Sequence, residues 1–177
     1  MSRYAQITAL LCVFLLSSAA GRAESYTHNF NSLWDAEPRA LAFGSKSTLG
    51  IVSATPAMTY TVSGSSFAYA SEQYVINLST SSAYVTTSVA LEDLTYIDVH
   101  CLASPENVKV WYSTTSNAGP WTPITDAEAY SCSGTKATVY MPAKGNYFLK
   151  IGCTSAVSIF EISYYVSPCH CLRVVSE

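Results

Sequence analysis

Polar and apolar residues alternate with period two along most of the chain. In residues 94–102, Ile97, Val99 and Cys101 share one parity, and Tyr96, Asp98 and His100 share the other. In residues 108–113, Val108, Val110 and Tyr112 oppose Lys109, Trp111 and Ser113. Such alternation marks a strand with one buried and one solvated face in an antiparallel sheet. Ser104, Pro105, Glu106 and Asn107 between these runs have turn chemistry, so the pair reads as a hairpin. Shorter runs of the same kind occupy residues 26–30, 48–52, 58–63, 67–70, 74–78, 84–89, 137–141, 147–153 and 157–166, with Ser-, Gly- and Pro-rich connections. Pro142 to Asn146 reads as one of these turns. No stretch carries a 3.6-residue apolar period, and Asp126 to Tyr130 has room for one helical turn at most. The expected fold is all-β: a single antiparallel β-sandwich of jelly-roll type.

Composition supports this reading. The chain of 177 residues is 49% hydrophobic and 12% charged, with 13 Tyr, which suits pleated surfaces more than exposed helix faces. Residues 1–23 read as a signal peptide. Arg3 precedes the apolar run from Ile7 to Leu16, and small residues follow at Ala19, Gly21 and Ala23. That run is about half of the ~20 apolar residues a membrane span needs. The expected organisation is therefore a signal peptide over 1–23, a sandwich domain over 24–166 and a Cys-containing tail over 167–177. The destination is secretion, without membrane insertion after cleavage. Cleavage lowers Lys plus Arg from 9 to 7 against 12 acidic residues, a net charge of about −5. That balance argues against nucleic acid as a partner.

The mature cysteines are Cys101, Cys132, Cys153, Cys169 and Cys171. In an oxidising compartment at least one disulfide is expected. Cys101 and Cys153 fall at inward parities and could bridge the core or stand as small buried apolar groups. Cys132, read as a loop residue, could reach Cys169 or Cys171. The run Cys169-His170-Cys171 offers soft ligands but lacks the second ligand pair of a structural zinc site.

Sequence motifs of catalysis are missing, and the three His read as surface or edge residues, so no enzyme is expected. Aromatic residues on polar parities are the better lead. Trp111, Tyr96 and Tyr140 leave the core by parity, and Trp121 sits at a turn. Exposed rings on a rigid sheet suit sugar binding, because a pyranose buries C–H surface on a ring that loses little side-chain entropy. Trp111 beside Tyr96 or Tyr140, with Trp121 near, is the expected ligand surface.

Residues 89–164 resemble the MAM-like and galactose-binding-like jelly-roll modules of secreted bacterial proteins. The similarity rests on the segment Val89–Val99, on Val108-Lys109-Val110-Trp111-Tyr112-Ser113-Thr114 followed by Gly119-Pro120-Trp121-Thr122, and on Val157-Ser158-Ile159-Phe160-Glu161-Ile162. The resemblance implies a non-catalytic module that binds a glycan or a cell-surface protein. It also implies a structural calcium, with Asp35, Glu37 and Glu161 as the oxygen ligands. Carbohydrate binding is the favoured function, and an extracellular adhesive, protein-binding role is the alternative.

Overall fold

A computed structural model describes residues 24–30, 48–51, 55–64 and 66–167. The proposed signal peptide, Asp35, Glu37, Cys169, His170 and Cys171 lie outside the described residues. Within them the chain forms an all-β, antiparallel sandwich of jelly-roll type. Twelve strands are described: β1 (Glu24–Asn29), β2 (Thr48–Ile51), β3 (Met58–Ser63), β4 (Ser66–Ala70), β5 (Gln73–Leu78), β6 (Tyr84–Thr87), β7 (Leu91–Cys101), β8 (Val108–Ser113), β9 (Thr122–Pro123), β10 (Tyr130–Ser133), β11 (Lys136–Cys153) and β12 (Val157–Val166). The expected helical turn is a single 3₁₀ turn, Ala127–Ala129, opened by Asp126, whose carboxylate accepts from Glu128 N.

The two sheets face each other across one core. The first runs β10, β11, β7, β12, then β5 and β4, with β1 on the later half of β12. The second runs β2, β3, β6, β11, β8 and β9. Strand β11 belongs to both: residues 136–147 pair with β7 and residues 148–153 with β6 and β8. Inward residues from both sheets, among them Ile97, Val99, Val139, Val110, Leu149, Ile151, Ile159 and Ile162, form a single buried cluster.

Three expectations are corrected here. First, β7 and β8 are not a hairpin. A short 3₁₀ turn, Pro105–Asn107, carries the chain from one sheet to the other, and both strands pair with different parts of β11. Their inward parities are right, but they point into the core from opposite sides. Second, Pro142 to Asn146 does not turn the chain. The stretch lies inside β11, where the register against β7 shifts between Tyr140 and Gly145 and again between Gly145 and Tyr147. A bulge leaves residues without a ladder partner, which is where a proline and small residues fit inside a strand. Third, Cys132 lies in β10, opposite Ala137, not in a loop.

The cysteines also separate. Cys101, Cys132 and Cys153 are free thiols. Cys101 and Cys153 do not bridge the core. Cys101 Sγ leans on Val99 O at 3.9 Å, and Cys153 Sγ donates to Thr80 O at 3.1 Å. Burial, with Cys132 and Glu106 nearby, pushes the Cys101 thiol up to about 12, so it stays an inert core group. The pairing expected for Cys132 involves tail residues outside the described part.

His28 departs furthest from its expected surface or edge position. It is fully buried, and its Nδ1 lies 2.6 Å from the Tyr60 hydroxyl, which in turn is hydrogen-bonded to the Tyr164 hydroxyl. The imidazole meets both phenol rings edge-on, at 5.7 and 5.4 Å. Burial lowers the His28 pKa, while the nearby carbonyls of Thr55 and Pro56 pull it partly back. Neither carbonyl reaches hydrogen-bond geometry with Nε2, which has no partner among the described residues.

Candidate functional site

The outward faces of the two sheets present different surfaces. On the first sheet, registration of β11, β7, β12 and β1 stacks their outward residues in rows. Tyr140, Tyr96, Tyr165 and Ser25 form one row, then Thr138, Asp98, Ser163 and Thr27, then Lys136, His100, Glu161 and Asn29. A bulge at Phe160 keeps this alignment while Ile159 and Ile162 point inward.

The tyrosine row is a stack of rings on one another. Tyr96 and Tyr165 are parallel within 11° with centroids 4.1 Å apart, and Tyr140 leans on Tyr96 at 5.4 Å and 40°. The faces of Tyr96 are therefore occupied by its neighbours. Tyr140, at the end of the row, is 48% exposed. It borders a cleft of about 450 Å³ with Thr125, Asp126 and Glu128.

Below the rings, Asp98 is 3% exposed although it has outward parity. It accepts from Lys136 Nζ at 2.9 Å and Thr138 Oγ1 at 2.5 Å, and the Tyr165 hydroxyl also reaches it. The bond to Asp98 raises the Lys136 pKa. Burial first, and then the Asp98 charge, raises both Tyr96 and Tyr165. Asp98→Ala leaves the Thr138 and Tyr165 hydroxyls short of an acceptor, while Lys136 regains water. The expected cost is about 1–3 kcal/mol by chemical denaturation, with the outer face of the other sheet undisturbed.

Glu161, an expected calcium ligand, belongs to the third row. Its Oε2 accepts from Asn29 Nδ2 at 2.7 Å, and its Oε1 lies 3.6 Å from His100 Nε2. Among the described residues no group of three His, Cys, Asp or Glu comes together around it. Its Oε2 is thus engaged by an amide donor, and Asp35 and Glu37, the other two expected ligands, lie outside the described residues.

Trp111 lies on the opposite side of the sandwich. It sits on β8, opposite Lys150 of β11 and Pro123 of β9. The expected pairing of Trp111 with Tyr96 or Tyr140 is therefore not made, because Tyr96 on β7 and Tyr140, in the part of β11 that pairs with β7, lie on the first sheet and β8 on the second. Trp111 has other company. Its six-membered ring lies across Gly152, where a Cβ would come within 3.0 Å of Cζ3. Any side chain at that point of β11 would crowd the indole and the Ala83 carbonyl, 3.1 Å from the same position. Lys150 Nζ is 5.0 Å from the Trp111 ring and 4.2 Å from the Tyr84 ring, a cation held between two aromatic groups.

Trp111 also borders a cleft of about 540 Å³ at the sheet edge, with Lys109, Glu106, Pro123, Thr125 and Tyr130 among its walls. Lys109 Nζ lies 5.2 Å from the Tyr130 ring. The cleft wall is fixed by Tyr130, whose hydroxyl accepts from Val110 N at 3.0 Å and donates to Ile124 O at 3.1 Å. Trp121 packs on Gly119 in the loop before β9, half-buried and absent from the walls of this cleft. Parity identified Trp111, but Tyr84, Lys150 and Gly152 were missed. Their outward alternation is visible in sequence, whereas their meeting depends on the pairing of β6 and β8 with β11.

No protein-family model matches the chain, and no curated protein matches it. Three solved structures align with it. A protein from work on glycan recognition by the Ruminococcus flavefaciens cellulosome is 12% identical over 83% of this chain and 97% of its own, with a TM-score of 0.42. A family two carbohydrate esterase from Cellvibrio japonicus is 13% identical over 82% of this chain and 34% of its own, with a TM-score of 0.42. A low affinity xylan binding module from Roseburia intestinalis is 10% identical over 81% of this chain and 96% of its own, with a TM-score of 0.40.

Proposed function

We propose that the protein is a secreted carbohydrate-binding module whose ligand surface is the outer face of β6, β11, β8 and the β9 edge, centred on Trp111. The observation that carries this reading is the indole across Gly152, with Tyr84 on the far side of Lys150 and a cleft beside it. A half-exposed ring on a rigid strand gives a sugar an apolar surface at little entropic cost, and flanking polar groups fix its hydroxyls. Tyr96 serves this role poorly, since its ring faces are spent on Tyr165 and Tyr140. Tyr140 and Trp121 are secondary candidates, each with an exposed or half-exposed ring.

The test is a glycan array with Trp111→Ala as the control. Loss of the stacking ring removes apolar burial of order 1–3 kcal/mol, so binding should weaken about tenfold or more with the fold intact. Tyr96→Ala should leave binding near the parent's. A blank array, or a Trp111→Ala protein that binds as the parent does, would replace this reading with the adhesive, protein-binding one.

A further inference from the structure

The described residues contain four lysines, and they divide in two. Lys136 is paired with Asp98 at 2.9 Å and Lys144 with Asp93 at 3.4 Å. Lys109 and Lys150 enter no salt bridge among the described residues; both meet aromatic rings instead. These two are the ones that flank Trp111. Lys109 stands two residues before it on β8, and Lys150 is directly opposite on β11.

The difference in partners matters chemically. A carboxylate neutralises an ammonium group and takes its N–H donors. An aromatic face attracts the cation through its quadrupole and restricts the side chain, but leaves net charge and donors for another group. Lys150, between Tyr84 and Trp111, is thus positioned without being neutralised. An unneutralised pair of cations is unexpected in a chain with a formal net charge of −3. Glu106 borders the same cleft as Lys109 but forms no salt bridge with it.

We propose that the Trp111 surface selects sugars bearing an anionic group, specifically uronic acids: the pyranose lies against Trp111 and its carboxylate is met by Lys150, with Lys109 drawing the neighbouring acidic residue of the polymer. This rests on the carbohydrate-binding reading and narrows it to acidic polysaccharides.

The full chain, signal segment removed, is titrated against polygalacturonate, dextran sulfate and neutral dextran, at low and at moderate salt. Polygalacturonate should bind best, and its affinity should fall with salt. Lys150→Gln should weaken that binding about tenfold, the scale of one charge-assisted contact, and Lys109→Gln by less. Lys150→Arg should retain most of it, which separates loss of charge from a disturbed fold. Trp111→Ala should weaken binding to every sugar polymer about tenfold or more.

Other outcomes overturn the proposal in distinguishable ways. If Lys150→Gln and Lys109→Gln leave polygalacturonate binding unchanged while Trp111→Ala weakens it, carbohydrate binding stands and the acidic class falls. Preference for dextran sulfate would make the anion a sulfate ester and overturn the uronate assignment. Acidic polymers bound equally by parent and Trp111→Ala would reduce the interaction to charge attraction, and no binding to polygalacturonate would overturn the acidic class, leaving the carbohydrate reading to the glycan array.

Discussion

Tyr60→Phe should cost about 2–4 kcal/mol of stability although it removes one oxygen atom and changes no apolar contact. The Tyr60 hydroxyl is the middle member of a buried chain, between His28 Nδ1 and the Tyr164 hydroxyl. All three side chains are fully buried. Without it, an imidazole nitrogen and a phenol hydroxyl lose their partner where no water replaces it, at about 1–3 kcal/mol for each unsatisfied group. Against a typical total of about 5–15 kcal/mol this is a large fraction. Urea denaturation of the parent and variant measures it. Tyr60→Phe combined with Tyr164→Phe should cost less than the sum of the two, because the second change removes one stranded group. A loss under about 0.5 kcal/mol for Tyr60→Phe alone would mean the chain of hydroxyls contributes nothing.

The same cluster should make the fold sensitive to mild acid. Burial holds the His28 pKa below its ordinary value, near 6.5 in the unfolded chain. Between those two values the unfolded state binds more protons than the folded one, so stability rises with pH across that window. His28 contributes its full stabilisation above about pH 6.5 and loses it progressively as pH falls below that. Tyr60 and Tyr164, both with pKa values raised by burial, stay neutral throughout and supply no counter-charge. Denaturation midpoints should be level from about pH 7 to 8 and fall from about pH 6.5 downward, before the bulk of the carboxylates titrate near pH 4. His28→Gln, less stable at pH 7, should lose this upper part of the acid slope. An equal slope in parent and variant would remove His28 as the cause.

Much of the fold was legible because parity is a local property. Ile97 against Tyr96 and Val110 against Trp111 are read correctly from alternation alone, since each residue's face is set by its own strand. What alternation lacks is the identity of the partner strand. Residues 94–102 and 108–113 carry the same pattern whether they pair with each other or face each other across a core. Ser104 to Asn107 fits either case. Pairing with β11 decides, and that information lies some 40 residues further on. Likewise, Pro142 and Gly145 suggested a turn because a bulge and a turn need the same backbone permissiveness. His28 was legible in part: Tyr26, His28 and Phe30 share a parity, and Phe30 is in the core. The usual surface preference of histidine points the other way, and the partner Tyr60 that lets His28 be buried lies on a distant strand. The grouping of Trp111, Tyr84, Lys150 and Gly152 was not legible, because it assembles outward residues from three strands whose registers no local signal specifies.

The strand shared between the sheets has a mechanical consequence. Lys150 and Gly152 lie in the part of β11 that pairs with β6 and β8, and the same continuous backbone is clamped further back between β7 and β10. A pull on Lys150 therefore loads a member anchored in both layers. Detaching β11 itself would have to break ladders in both sheets, whereas β8, which carries Trp111, is held among the described residues by β11 and the two-residue β9. β11 thus acts as a tie rod between the layers, passing traction along one unbroken backbone from the part beside β6 and β8 to the part between β7 and β10.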